Sequence, residues 1–422
     1  MIKRIWFGGA QRIWTSHRAL AIAIPAIVVV TFLVASLLLM SASGGTSQAS
    51  ATPGATPSGM PGDTPSAWPS DSPFSSPSSS ATATLSPSPS ISTSPPPTPI
   101  PAGWIASTLD GVYAPADLAH REPVAVMVED SIHARPQSGI SSASIVYLAP
   151  ADGGVPRYMM VFQEGTAVAP DKQNSAIGPV RSARPYYIYW ASEYKAVYAH
   201  WGGDHQSRKD VIPAMVKAGS IYNLDDLSGG SCAYHRITTR VAPHNGYTST
   251  AALISCLAKK GYPATERKQS TRPFIDQTPL DQRPAATVSK IEIHSPGSDG
   301  ETVGYEYQPA GDLYLRTING KAEVDPANGH YVYAANVVVM YQGLKYDNTI
   351  ETDHNRPIVY NVGSGKAIIF QEGKEIACTW KKKTNTSLTI FTDKSGNQIP
   401  LVRGEIFIHS IPPISSYKLT IN

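Results

Sequence analysis

The sequence predicts a chain in which a transmembrane helix and a disordered Pro/Ser/Thr linker precede an α/β N-terminal layered domain and a mainly antiparallel β domain. An uncharged apolar run, a long Ser/Thr/Pro-rich stretch, and a change from mixed helix and strand patterns to strand patterns alone support this class. The predicted segments of the 422 residues are a cytoplasmic N-terminus at 1–18, a transmembrane anchor at 19–40, a linker at 41–103, an α/β domain at 104–285 and a β-rich domain at 286–422.

The apolar run "ALAIAIPAIVVVTFLVASLLLM" covers residues 19–40 without a charge. This length is enough to cross a bilayer core of roughly 30 Å. Four basic residues precede the run and none follows it before Arg121, so the positive-inside rule places the N-terminus in the cytoplasm. We therefore expect a single-pass protein of the cell membrane with its C-terminal domains extracytoplasmic. A cleaved secretory signal, processed near "SASGG" at 41–45, is the alternative.

The linker consists almost entirely of Ser, Thr, Pro, Ala and Gly. Such a composition cannot bury enough apolar surface to offset the entropy of ordering the backbone, so it predicts disorder. As a flexible coil of about sixty residues it would span roughly 40 Å, which suits a stalk that holds a domain away from a membrane.

Charge and cysteine content exclude several functions. A net charge of +3 without a basic stripe gives no reason to expect nucleic acid. The sequence has no metal-binding Cys spacing and no phosphate-loop, zinc-helix or dinucleotide motif, so no metal or cofactor is expected. Cys232 and Cys256 could form a disulfide in an oxidising compartment, leaving Cys378 single. The helical pattern favours Cys256 as a buried small side chain instead, and the pairing stays open.

The folded part begins near Trp104 with short β-branched and aromatic runs that are typical of buried strands. Predicted strands cover 123–130, 144–150, 157–164 and 196–202, and helices are predicted from Pro185, over about 207–218, and over 248–262 with Thr248 or Ser249 as the cap. After residue 286 only strand patterns occur, separated by Gly, Asn and Asp turns such as "QEGKE" and "DKSGNQ". The basic run at 381–383 is predicted to lie on a solvated hairpin face.

Several blocks of sequence resemble one known family. "ARPQSGISSASIVY", "DGGVPRYMMVFQ", "IGPVRSARPYYI", "YAHWGGDHQS" and "GNQIPLVRGEIFIHSIP" are similar, in this order, to blocks of the YerB-like family of bacterial envelope lipoproteins. The resemblance covers nearly all of 110–415 and implies an envelope location and an N- and C-terminal domain of unknown function. Relatives are commonly anchored by a lipidated cysteine, which is absent here. Relatives also usually have Asn where this chain has Asp130, and Glu where it has Asp152.

Charged residues at predicted strand ends suggest a binding crevice. In open α/β sheets, ligands bind beyond the carboxyl ends of strands. Arg181 and Arg184 directly precede the helix at Pro185, whose N-terminus is already the positive end of its dipole, so we expect a negative group nearby. That group is either a carboxylate of the protein, as in a structural network, or a bound anion. The ligand-binding candidates are Arg135, Arg157, Arg181, Arg184 and Asn245.

The catalytic candidates are weaker. Asp130 and Asp152 could form a carboxylate pair for acid–base hydrolysis of a glycan, with His200 or His244 as an alternative base. A single histidine near a strand end is more often a hydrogen-bonded core residue. The aromatic cluster at 186–190 could stack on a sugar, but its helical spacing favours a place in the core.

These patterns together predict a protein that binds an anionic or sugar-containing component of the cell envelope through an Arg-rich crevice. The alternatives are a cell-wall-active hydrolase that uses paired carboxylates and a scaffold for other envelope proteins. The expected partners are the membrane, through a single span, and a cell-wall polymer or another envelope protein, with no nucleic acid. Whether the protein is an enzyme stays open.

Overall fold

The computed structural model describes residues 99–163, 176–228, 232–263, 265–268, 270–296, 301–347, 356–414 and 416–422. The predicted cytoplasmic N-terminus, transmembrane anchor and most of the linker lie outside the described residues. All of the described residues belong to one unit, Ser88–Asn422. Within the described ranges, none of the helices combines the length and hydrophobicity that crossing a bilayer requires.

The described part of the chain is rich in β-sheet and has few helices. Helix α2 begins at Pro185, because proline needs no hydrogen-bond acceptor in the first turn. Helix α4 is capped by Ser249, whose hydroxyl accepts a hydrogen bond from Ala252 N at 3.1 Å. The predicted helix over 207–218 is a π-helical turn, Ser207–Val211, that continues into α3. The α-helices are α1 Ala116–Ala119, α2 Pro185–Ala191, α3 Ile212–Lys217 and α4 Thr250–Lys259.

Of the ten strands described before residue 286, the third to the sixth correspond to the four predicted apolar runs, and the other six were not predicted. The ten strands are β1 Trp104–Ala106, β2 Tyr113–Pro115, β3 Val124–Glu129, β4 Ile145–Pro150, β5 Pro156–Phe162, β6 Val197–His200, β7 Tyr222–Asp225, β8 His235–Arg236, β9 Gly246–Tyr247 and β10 Phe274–Ile275.

Some of the strands after residue 286 are joined by tight turns that the sequence predicts, as at Glu372 and Gly373, which both have a positive φ. The strands described after residue 286 are β11 Lys290–His294, β12 Thr302–Gln308, β13 Leu313–Ile318, β14 Lys321–Ala322, β15 Tyr333–Ala334, β16 Asn336–Tyr341, β17 Leu344–Asp347, β18 Arg356–Val359, β19 Gly363–Gln371, β20 Lys374–Lys382, β21 Ile390–Thr392, β22 Leu401–Val402, β23 Ile406–Ile411 and β24 Lys418–Ile421.

Among the described residues, ten strands form one mixed sheet in the order β21-β20-β19-β16-β23-β4-β5-β3-β6-β7. The segments 104–285 and 286–422 therefore each contribute five strands to the same sheet. They join where β23 lies parallel to β4, and β16 is also parallel to β23, so the later segment is not purely antiparallel. Periodicity in a sequence shows which faces are buried but not which strands are neighbours, so the shared sheet could not be predicted.

Both faces of the ten-stranded sheet are covered. One face packs against α4 and a second sheet, which has the order β14-β13-β12-β11-β24 with β15 added to β13. The other face packs against α2 and α3. A sheet that is buried on both sides requires strands that are apolar throughout, and all six residues of β3 and of β4 are buried.

Two expectations from the sequence need correction. Cys232 and Cys256 form a disulfide with their Cα atoms 5.4 Å apart, so Cys256 is not a free buried thiol. The basic run at 381–383 is predicted to lie on a solvated hairpin face, but Lys382 is buried and its Nζ donates to Glu193 Oε1 at 2.6 Å. Lys382 points inward because side chains alternate between the two faces of β20.

Candidate functional site

Seven strands of the ten-stranded sheet end at one edge because they run in the same direction, namely β3, β4, β6, β7, β16, β20 and β23. Strands β4, β16 and β23 are mutually parallel, as are β3, β6 and β7, and both groups run opposite to β5. The sequence-predicted residues collect at or near the ends of these strands, where strand direction brings distant parts of the chain together. We call this set the charged edge: Glu129, Asp130, Arg135, Asp152, Arg157, Arg181, Arg184 and His244.

Arg184 is held by two carboxylates at the start of α2. Its Nε donates to Asp152 Oδ1 at 3.0 Å, its Nη2 donates to Asp152 Oδ2, and Asp204 Oδ2 lies 3.6 Å from Nη1. The arginine side chain is only 5% exposed, whereas that of Asp152 is 25% exposed. Burial would raise the pKa of Asp152, but the hydrogen bonds and charge of Arg184 outweigh it and lower that pKa.

Arg157 lies beside this pair and shares its carboxylate. Its Nη2 is 3.3 Å from Asp152 Oδ2, and its Nη1 donates to the carbonyl oxygen of Ser182 at 3.1 Å. Burial and the neighbouring charge of Arg184 lower the pKa of Arg157 to about 10. Arg157 and Arg184 therefore share the carboxylate of Asp152.

Arg181 forms a separate group with Glu129 and His244. Its Nε donates to Glu129 Oε2 at 2.7 Å, and His244 Nδ1 lies 2.9 Å from the same oxygen. Burial would raise the pKa of Glu129, but the hydrogen bonds from Arg181 and His244 lower it overall. The side chains of Glu129, Arg181 and His244 are 10%, 20% and 23% exposed, so solvent reaches all three.

The negative groups expected at the start of α2 are therefore carboxylates of the protein itself. Asp152 balances Arg184, and Glu129 balances Arg181. Pairing of this kind stabilises the fold, because removing one partner of a buried ion pair typically costs about 3 to 5 kcal/mol.

Asp130 is paired with a residue that the sequence analysis did not identify. Arg135 Nε donates to Asp130 Oδ1 at 3.1 Å, and Arg135 Nη2 also donates to Glu301. Glu301 directly precedes β12 and is 171 positions away from Asp130 in the chain, and both carboxyls are buried. In the sequence, Glu301 is marked only as an acidic residue next to an apolar strand. Such residues are too common for this pattern to identify Glu301.

Burial favours the protonated form of both carboxyls. Burial raises the pKa of Asp130. Burial and the adjacent charge of Asp130 raise the pKa of Glu301 to about 8. Glu301 is therefore protonated at pH 7 and can act as a hydrogen-bond donor to Asp130. Asp130 and Asp152 have different partners and do not form the predicted carboxylate pair.

A cavity of about 30 Å³ adjoins Asp130 and Glu301 and is also lined by His409 and Tyr417. This volume holds one or two water molecules but not a sugar ring. His409 is buried, its Nε2 lies 2.8 Å from the hydroxyl of Tyr305, and burial lowers its pKa to about 3. The carboxyl pair consequently has no room for a substrate in this conformation.

The hydrogen-bond partners of His200 and Asn245 lie outside the charged edge. His200 is fully buried, with Nδ1 2.6 Å from the carbonyl oxygen of Gly202 and Nε2 2.9 Å from Asn223 Oδ1, and burial lowers its pKa. Asn245 accepts a hydrogen bond from Arg236 Nη1 at 2.6 Å. Both residues thus have local structural partners.

Most of the aromatic cluster in α2 belongs to the core. Tyr186, Tyr187 and Trp190 are at most 1% exposed, so they cannot stack on an external ligand.

Larger concave surfaces lie elsewhere. A groove of about 990 Å³ borders β19 and β20, and a pocket of about 550 Å³ lies beside Tyr331 and Tyr333.

Comparison with known proteins identifies relatives of most of the described region. The family description "Protein of unknown function (DUF3048) N-terminal domain" matches residues 109–263, and the corresponding C-terminal domain matches 291–408. The Bacillus subtilis (strain 168) protein described as "Putative lipoprotein YerB" is 28% identical over 318 residues, which are 75% of this chain and 89% of the relative. The crystal structure of YerB from Bacillus subtilis superposes with a TM-score of 0.62 at 25% identity, covering 75% of this chain and 99% of that one.

Proposed function

Because this chain belongs to the DUF3048 family and is similar to a Bacillus subtilis protein described as a "Putative lipoprotein", we propose that it is an envelope protein that binds a sugar-containing component through its charged edge. The apolar run at 19–40 would anchor the protein, since its cysteines lie only at positions 232, 256 and 378 and no lipidated cysteine is available near that run. The Cys232–Cys256 disulfide supports an extracytoplasmic location, because disulfides persist mainly in oxidising compartments.

The ligand chemistry follows from the charge balance of the site. Each arginine of the charged edge already faces a carboxylate, so a polyanion would find little uncompensated positive charge. The partly exposed members combine guanidinium donors with carboxylate acceptors and an imidazole. Sugar hydroxyls both donate and accept hydrogen bonds, so they match this mixture better than phosphate does. The Glu129–Arg181–His244 group carries the proposal, because all three side chains reach solvent.

The test measures retention of the full chain, held in detergent, on purified cell-wall polymer. Arg181→Met should weaken retention about 10- to 100-fold, which corresponds to one or two lost hydrogen bonds to a charged group. Arg403→Met is the matched control, because the side chain of Arg403 is 21% exposed and its Nε lies 2.6 Å from a single carboxylate, that of Asp276. The control should bind like the wild type, and both variants should stay folded at the temperature of the assay, although Arg181→Met should melt at the lower temperature because Glu129 loses its partner.

Two outcomes would contradict the proposal. Equal losses of retention in Arg181→Met and Arg403→Met would show that retention does not depend specifically on the charged edge. Retention that disappears when anionic polymers are stripped from the wall material would point to a charged guest rather than to sugar hydroxyls.

A further inference from the structure

We propose that the pocket beside Tyr331 is a second contact for the same sugar-containing component and that it stacks a sugar ring on tyrosine. This inference rests on the proposed function and assigns to it a site that lies outside the charged edge. The pocket has a volume of about 550 Å³ and is lined by Ser141, His330, Tyr331, Tyr333 and Glu405, among others. We call it the tyrosine pocket.

Exposure distinguishes these tyrosines from those in α2. Tyr331 is 53% exposed and Tyr333 is partly buried in β15, so both side chains line the pocket and neither is enclosed in the core. Large aromatic side chains dominate binding energies when they are covered by a ligand, and they lose little conformational freedom because they have only two rotatable side-chain bonds. A half-exposed tyrosine in a concave surface is therefore suited to cover one face of a ring.

The turn that carries Tyr331 is held rigidly by a buried aspartate. Asp325 is fully buried and accepts hydrogen bonds from Gly139 N and Ser141 N at 3.0 Å, from the hydroxyl of Ser141 at 2.8 Å and from Ala327 N at 2.9 Å. Gly329 adopts a positive φ of 76°, which closes the turn. The aromatic surface is thereby preorganised, which reduces the entropy lost on binding.

The polar lining favours a sugar over a purely apolar ligand. The hydroxyl of Ser141, the imidazole of His330 and the carboxylate of Glu405 line the same pocket as the two tyrosines. A sugar ring presents C–H groups on its face and hydroxyls on its rim, which matches an aromatic surface bordered by hydrogen-bonding groups. Ser141 belongs to the segment before residue 285 and the other lining residues to the segment after it, and pockets commonly form at such junctions.

The experiment compares wild type, Arg181→Met and Tyr331→Ala as full chains in detergent, using purified cell-wall polymer and soluble oligomers of N-acetylglucosamine as probes. Tyr331→Ala should weaken binding of both probes at least about 10-fold, and Tyr331→Phe should stay within about twofold because it keeps the ring. Tyr346→Ala is the control, since Tyr346 is 43% exposed and does not line the pocket. The melting temperature of Tyr331→Ala should equal that of the wild type, which would show that the loss of binding does not come from unfolding.

The outcomes separate the two proposals. If Tyr331→Ala binds like the wild type while Arg181→Met does not, the tyrosine pocket is refuted and the charged edge stands. If Tyr331→Ala loses binding while Arg181→Met keeps it, the pocket is supported and the charged edge is refuted. If the wild type binds neither probe, both proposals are refuted.

Discussion

Replacing Glu301 by glutamine should change how the stability of the protein depends on pH. In the folded protein, burial and the adjacent Asp130 raise the pKa of Glu301 from 4.5 to about 8. The folded state therefore keeps a proton that the unfolded chain releases between these two values, and the free energy of unfolding must fall as the pH rises through this window. At about 1.4 kcal/mol per pH unit, the full effect is about 5 kcal/mol.

The Glu301→Gln variant has the same shape but no proton to lose, and its amide can still donate to Asp130. We expect its free energy of unfolding to decline less between about pH 5 and pH 8, by up to about 1.4 kcal/mol for each pH unit. The variant should consequently be more stable than the wild type at pH 8. The assay is urea unfolding of the full chain in detergent, followed by tryptophan fluorescence.

Glu122→Gln provides the control, because Glu122 is also buried and burial raises its pKa to about 7, but its partner is Arg267. This control should flatten the pH dependence only below about pH 7. The reasoning is refuted if Glu301→Gln and the wild type show the same slope between pH 7 and pH 8, since the carboxyl pair would then hold no proton in that range.

Three further predictions concern groups outside the charged edge. Lys382→Met should lower the free energy of unfolding by about 3 kcal/mol in urea titrations, because the buried Glu193 loses its lysine partner; the exposed Lys381→Met should have little effect. Cys256→Ala should cost about 3 kcal/mol by the same measurement, since it opens the loop that the disulfide with Cys232 closes. Burial raises the pKa of the Cys378 thiol to about 12, so iodoacetamide should label it about 100-fold more slowly in the native than in the unfolded chain, as measured by mass spectrometry.

The positions of secondary-structure elements could be predicted because they depend on local pattern. The apolar run at 123–130 corresponds to β3, and the serine predicted as a helix cap lies at the start of α4. Family membership was predicted correctly for the same kind of reason, since the matching blocks are contiguous stretches of sequence. The burial of Lys382 was missed although strand alternation implies it, because three adjacent lysines look like a solvated surface.

The contacts of the candidate site could be predicted only in part. That Arg181 and Arg184 need a negative neighbour follows from the charge at a helix N-terminus. Which carboxylates meet this need, and that Asp130 is paired with Glu301 rather than with Asp152, depends on contacts between residues far apart in the chain. Likewise, Tyr331 is half exposed in a turn of the later segment, whereas Tyr186, Tyr187 and Trp190 of α2 are buried.

The sequence by itself determined the family, the location of strands and helices, and the residues from which a charged site would be built, because these properties are set by neighbours in the chain. Only the tertiary structure decided which partners neutralise the arginines, which carboxyls share a proton, and that both halves of the chain build one sheet. Such pairings depend on strand order and direction, and hydrophobic periodicity carries no information about either.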